Sequence, residues 1–218
     1  MIIDRSVFEL YEDNVAFYRK GIFDPDEVLT LEELSNHLNF RPAMTNERLS
    51  WINWDERVDW INTVWAKNKD TWPITLIDKF LNDYSLLLYD SSQINSAVNS
   101  ICSDIESVSN AQTDAHIFHS RKSGDISFPP HWDYSHNFLL QIYGCSIFTA
   151  WTDERGESRY GNPKDILFKK YLKPGDLVFF PRYSYHSIVP LEKRISISFP
   201  FNPDDSTIYG LFRDWISI

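Results

Sequence analysis

The sequence predicts a mainly β protein in which a small ligand-enclosing barrel follows a helical N-terminal part. Three observations carry that expectation. Near residue 112 the hydrophobic rhythm changes from a three-and-four repeat to short alternating or apolar runs bounded by Pro and Gly. The last of these runs, RISISFPF, alternates strictly, with Ile195, Ile197 and Phe199 on one side and Arg194, Ser196 and Ser198 on the other. One face is then packed while the other lines a polar interior, which is what a small barrel around a ligand requires. The 218 residues suit one domain, 1–218, with a mainly helical part over 1–111 and a barrel core over 112–218.

In the first part, Thr30 followed by Glu33 reads as a capping box, and Leu31, Leu34 and Leu38 then recur at helical spacing. Trp51, Trp54, Val58, Ile61 and Trp65 keep the same rhythm, as do Ile94, Val98, Ile101 and Ile105, so three amphipathic helices are predicted. The tryptophan stripe is read as a buried helix face rather than a binding site. In the second part the candidate strands are 114–119, 137–143, 146–151, 166–171, 176–181 and 194–201. KPGDLVFFP sets a Pro-Gly-Asp turn directly before an apolar strand.

Composition excludes several function classes. A hydrophobic share of 43% with 24% charged residues is that of a folded globular chain rather than a disordered one. The net charge of -10 argues against nucleic acid as the main partner, since such binding needs a cationic surface to release counterions. No run approaches the roughly 18 apolar residues of a membrane span, and MIIDRSVFELYEDN carries acids where a signal peptide is apolar. A cytoplasmic protein is expected, with no membrane partner. Cys102 and Cys145 lack CxxC spacing and suggest neither a disulfide framework nor a thiolate zinc site. The helical first half is a candidate homodimer face.

The chemistry lies in two blocks. In FPPHWDYSHNFLLQIYG an extended period of two turns His131 and Asp133 to the same side. His186 follows in PRYSYHSIV, just past the strand opened by the Pro-Gly-Asp turn. H-x-D with a distant His is the two-His-one-carboxylate facial set of non-haem Fe(II) oxygenases, which leaves the opposite face of the metal open. An isolated H-x-D carries little information, but here both contexts agree. Of the other histidines, His136 reads as a turn residue close to the ligand pair, His119 as a candidate to face the pocket from a strand shared with His116, and His37 as structural at a helix end. Trp132, Tyr134, Tyr183 and Tyr185 flank the ligands and are read either as pocket wall or as packing.

On PPHWDYSHNFLLQIYG, KPGDLVFFPRYSYHSI and RISISFPF, the chain resembles the Jumonji-C and cupin-like 2-oxoglutarate oxygenases, which include ribosomal-protein and asparaginyl hydroxylases. YRKGIFDPDEVLTLEEL is similar to the family's opening segment, so the resemblance runs, loosely outside the motifs, along nearly the whole chain. It implies a double-stranded β-helix (cupin or jelly-roll barrel), Fe(II) held by His131, Asp133 and His186, and 2-oxoglutarate and O₂ as co-substrates. It also implies that Asn137 is a polar residue near the co-substrate. In relatives a Lys or Arg on the strand after H-x-D grips the distal carboxylate, and Ser146 stands there in this chain. Arg194 with Ser196 resembles the R-x-S pair of other 2-oxoglutarate oxygenases and is the expected substitute, because a forked guanidinium suits a planar carboxylate; the alternative is a surface Arg beside Lys193, which the presence of Ser196 disfavours. The expected reaction is hydroxylation of a C–H bond in a small molecule or peptide side chain, coupled to decarboxylation of 2-oxoglutarate to succinate. The alternatives are a cupin-like hydrolase, isomerase or direct dioxygenase that does not use 2-oxoglutarate, which Ser146 favours, and a binding module without catalysis, which the intact triad disfavours. The fold does not choose the substrate.

Overall fold

In a computed structural model, which describes residues 2–40, 49–52, 61–62, 85–120, 124, 128–153 and 155–203, two antiparallel sheets face each other and short helices cover one of them. The elements run α1 (Ser6–Glu9), a 3-10 turn (Leu10–Asp13), β1 (Phe17–Arg19), α2 (Pro25–Val28), α3 (Leu31–Phe40), β2 (Leu49–Ile52), β3 (Ile61–Asn62), β4 (Ser85–Leu88) and α4 (Ser96–Ser109). Then come β5 (His116–Ser120), β6 (His136–Tyr143), β7 (Ser146–Trp151), β8 (Ile166–Leu172), β9 (Leu177–Phe180), β10 (His186–Pro190) and β11 (Arg194–Phe201). The large sheet has the order β1-β9-β6-β11-β5-β4-β2-β3 and the small one β10-β7-β8. No helix among the described residues is long and apolar enough to cross a membrane.

Local chemistry accounts for the helices that form. The Glu33 carboxylate accepts from the Thr30 N–H at 2.8 Å while the Thr30 hydroxyl accepts from the Glu33 N–H at 3.1 Å, so the capping box closes α3. Asn95 caps α4 by accepting from the Val98 N–H at 2.8 Å, and Asn110 ends it in the left-handed conformation. Val98, Ile101 and Ile105 form its buried face. The helix predicted across Trp51 and Ile61 does not form there: Trp51 lies in β2 and Ile61 in β3, and β2 pairs with β4 from Leu49↔Leu88 to Ile52↔Ser85. Trp and Ile also favour strands, and a sheet edge offered by β4 satisfies the backbone that a helix would otherwise satisfy alone. Trp54, Val58 and Trp65 lie outside the described residues. The first 111 residues are thus less helical than expected, since β1 to β4 extend the large sheet.

Strand parity sorts side chains between two cores. Ile195, Ile197, Phe199 and Phe201 of β11 join Phe138 and Leu140 of β6, Ile117 of β5 and the helices in one cluster on the outer face of the large sheet. Leu139, Phe148, Leu172, Val178 and Phe180 fill one part of the space between the sheets. The Pro-Gly-Asp corner ties the N-terminal strand on: Asp176, 2% exposed, accepts from the Tyr18 hydroxyl (3.0 Å) and from the N–H groups of Gly21 and Lys173 (2.9 Å each). Burial, with the Asp176 carboxylate beside it, pushes the Tyr18 phenol up to about 12.

Candidate metal centre

His131 and His186 come from segments more than fifty residues apart and meet on one antiparallel rung, outside the long ladders. The His131 N–H donates to the His186 carbonyl at 3.1 Å, and the His186 N–H donates back at 2.8 Å. Their rings therefore emerge side by side, with centroids 4.4 Å apart. Each Nδ1 faces a backbone carbonyl, Pro129 at 2.8 Å and Ser184 at 3.0 Å. A carbonyl has no proton to give, so each Nδ1 must carry one and each Nε2 keeps its lone pair. Both Nε2 atoms approach Asp133: His131 is 3.7 Å from Oδ1 and His186 is 3.5 Å from Oδ2.

The electrostatics suit this tautomer. Burial, together with the nearby His186, depresses His131 to about 3, and burial likewise lowers His186 against the pull of Asp133. Burial works to raise the Asp133 carboxyl, but His131, His186 and Arg159 outweigh it and hold it at about 2. At neutral pH the site is two neutral imidazoles and one carboxylate, with the candidate ligand atoms all within 4.8 Å of one another. This donor set fits a divalent first-row cation, and its nitrogen and oxygen ligands without thiolate suit Fe(II). Fixing each imidazole through its distal nitrogen is how protein metal sites orient their ligands.

The triad opens on a cavity of about 690 Å³, counted with its mouth, between the two sheets. Alternation decides which neighbours reach it. From β5, His116 and Phe118 line the cavity, whereas His119, the candidate for that position, is one parity away on the face of Ile117. His116 is buried, which lowers it to about 4. On β6, Asn137 and Leu139 face inward, and His136 turns outward to stack on Phe179 and Phe201 at 5.9 and 5.4 Å. Asn137 Oδ1 accepts a hydrogen bond from the Ser198 hydroxyl across the β6–β11 pair.

Arg194, 2% exposed, lines the same cavity, donating from Nε to Ser120 Oγ at 3.2 Å and from Nη1 to Ser196 Oγ at 2.9 Å. Ser196 thus meets the cavity through Arg194. Ser146 does not line it. Its hydroxyl donates to Gln141 Oε1 at 2.9 Å, and the Gln141 amide donates to the Tyr143 and Gly144 carbonyls, closing the β6–β7 turn. Trp132, Tyr134 and Tyr183 do not line the cavity either; they pack edge to face on one another at 5.0–5.9 Å. Tyr185 donates its hydroxyl to the Ser158 carbonyl.

One cavity residue lacks any sequence signature. Arg159, in the connection between β7 and β8, pairs its Nη2 with Asp133 Oδ1 and donates from Nε to the Trp132 carbonyl at 3.2 Å. Nothing in ESRYGNP distinguishes it from a surface loop; the contact exists because residues 159–161 run antiparallel to 130–132.

A family model of the JmjC domain matches residues 88–208. Among curated proteins the chain is 30% identical over 76 residues to the bifunctional lysine-specific demethylase and histidyl-hydroxylase NO66 of Caenorhabditis briggsae, covering 29% of this chain and 10% of that protein. Among solved structures it superposes on YcfD of Escherichia coli with a TM-score of 0.67 at 16% identity, covering 97% of this chain and 56% of that one. A second structure, the ribosomal oxygenase YcfD of E. coli in complex with cobalt and 2-oxoglutarate, gives a TM-score of 0.62 at 17% identity, with 91% and 50% covered. The chain therefore spans about half the length of the solved relatives and a tenth of the curated one. The paired sheets, their topology and these superpositions describe a double-stranded β-helix, and the domain match over more than half of the sequence shows that the chain belongs to the JmjC domain family.

Proposed function

We propose that this protein is an Fe(II)- and 2-oxoglutarate-dependent oxygenase that hydroxylates a side chain of a protein or peptide. The observation that carries the proposal is the occurrence, in one cavity, of two buried histidines with a partly buried aspartate and a buried guanidinium. The metal would be held by His131, Asp133 and His186. Bound there with 2-oxoglutarate and O₂, it supplies the oxidising power for converting a C–H bond to C–OH, with the second oxygen atom entering succinate as CO₂ leaves.

The chain's own residues do the rest. The Nδ1–H bonds to Pro129 and Ser184 keep both imidazoles aimed, so no reorganisation accompanies binding. Arg194 accepts the distal carboxylate of 2-oxoglutarate as a fork, with Ser120 and Ser196 holding the guanidinium in plane. Because the Ser146 hydroxyl is committed to Gln141, Arg194 replaces the cation that relatives carry at that strand position. Asn137 and Ser198 present a polar wall, and Phe118, Leu139, Phe180 and Ile188 exclude water from the reacting centre. The names of the relatives, a histidyl-hydroxylase and a ribosomal oxygenase, favour a protein substrate over a free small molecule. Free Cys102 and Cys145 suit the reducing cytoplasm, where 2-oxoglutarate is supplied.

The test is spectroscopic first. Protein given Fe(II) and 2-oxoglutarate without air should develop a visible charge-transfer band, lost in Asp133→Ala, and in air should form succinate in step with a hydroxylated peptide. Metal binding without that band, and no succinate with any peptide offered, would instead favour a cupin-like metal enzyme that does not use 2-oxoglutarate.

A further inference from the structure

The ion pair between Arg159 and Asp133 joins a loop to a ligand of the candidate centre, and three features make it more than a loop anchor. First, it divides the carboxylate. Oδ1, 3.7 Å from His131 Nε2, accepts a hydrogen bond from Arg159 Nη2, while Oδ2 faces His186 Nε2 at 3.5 Å. Both imidazoles carry their protons on Nδ1, so neither Nε2 competes as a donor, and Arg159 alone fixes the carboxylate's rotation among these groups. Second, Arg159 is itself fixed at both ends: its Nε donates to the Trp132 carbonyl, and its own carbonyl accepts from the Trp132 N–H at 3.2 Å. Third, the loop is strapped to both ligand-bearing segments. The Ser158 carbonyl accepts from Trp132 Nε1 and from the Tyr185 hydroxyl, each at 3.1 Å, and Trp132 and Tyr185 are the immediate neighbours of the three ligands. Tyr160 bridges His131, the Gly161 N–H donates to the Pro130 carbonyl, and a Cβ at Gly161 would lie 2.8 Å from the Tyr185 oxygen.

We propose that Arg159 is a positioning residue that holds Asp133 by Oδ1 and so offers the metal Oδ2 alone. One-oxygen ligation keeps a coordination position open that a two-oxygen carboxylate would fill. The guanidinium also offsets the desolvation of Asp133 before any metal arrives, so the carboxylate is ionised and aimed in the metal-free protein. Two opposed effects act on affinity: the positive charge repels a divalent cation, and the fixed geometry favours it. The double tether of Arg159 argues that geometry wins.

The inference rests on the metal reading of the triad, and the experiment separates the two. Chelator-stripped protein is titrated with Co(II), following heat and the ligand-field absorption bands, for the wild type, Arg159→Lys and Arg159→Met. Failure of the wild type to bind Co(II) would remove the metal reading itself. With the wild type binding, Arg159→Met should weaken Co(II) by about 10- to 100-fold, the usual loss when a partner of a metal ligand is removed, and should shift the bands as Asp133 turns to two-oxygen ligation. Arg159→Lys keeps the charge but cannot reach Asp133 and the Trp132 carbonyl together, so it should fall between the two. Equal or tighter binding by Arg159→Met with unchanged bands would overturn the proposal. If Arg159→Met does not fold, Arg159→Lys decides: wild-type affinity and bands in that variant overturn it equally.

Discussion

Replacing Arg194 with Met should separate co-substrate binding from stability in opposite directions. Arg194 is 2% exposed and donates to the Ser120 and Ser196 hydroxyls, each of which loses one donor when it is gone. Met fills comparable volume without a charge, and removing the desolvation penalty of a buried ion, several kcal/mol, offsets the hydrogen bonds lost. For a chain of this length each kcal/mol moves the midpoint by about 2–4 °C, so metal-free Arg194→Met should melt at or a few degrees above the wild type. Binding of 2-oxoglutarate should suffer in proportion to what the cation compensates. Leaving one member of a buried charge pair alone costs about 3–5 kcal/mol, which at about 1.4 kcal/mol per decade is a loss of at least about 100-fold. Calorimetric titration of 2-oxoglutarate into the Mn(II)-loaded protein, paired with melts of the metal-free form, measures both. A variant that binds 2-oxoglutarate within three-fold of the wild type would refute the assignment of Arg194 to the distal carboxylate.

Asp176→Asn should cost about 2–4 kcal/mol: only one oxygen remains where two accept three donors, and either amide orientation turns an NH₂ toward a backbone N–H of Gly21 or Lys173. Urea midpoints would show it, and a change below 0.5 kcal/mol would mean that the corner does not tether β1. Acid should destabilise the metal-free protein before its carboxylates protonate. His116, His131 and His186 are depressed by burial, so the unfolded chain binds more protons once the pH falls below about 6.5, and stability present above that pH is lost toward pH 4. His116 alone, moved from 6.5 to about 4, accounts for roughly 3 kcal/mol. Denaturation at pH 7, 6 and 5 checks this, and His116→Phe should flatten the profile by about one proton; identical slopes would remove His116 from the account.

The residues that meet in the candidate centre were legible because metal-ligand chemistry constrains local spacing: H-x-D must alternate, and His186 must follow the strand that delivers it. The β11 strand was legible for a related reason, since a strand between a helix layer and a polar cavity has to alternate. Legibility failed where the deciding partner is distant. Ser-Leu-Leu-Leu at β4 is buried throughout and shows no period. Trp51 and Ile61 keep a helical rhythm that sheet pairing overrides. His119 and His116 differ only in parity, which needs the strand's orientation to settle. Arg159 depends on a loop folding back over residues 130–132, and no local pattern encodes that return.

The single rung between His131 and His186 also bears on how this chain can vary. The distance between the two imidazoles is set by a pair of backbone bonds at the rung itself, not by the length of chain between them. Insertions between the two segments that spare the strap at residues 158–161 would therefore leave both imidazoles and the Asp133 carboxylate in register. Chain length elsewhere between the two histidines can change without moving the candidate centre, whereas the 158–161 strap ties that centre to the cavity wall and limits what can change there.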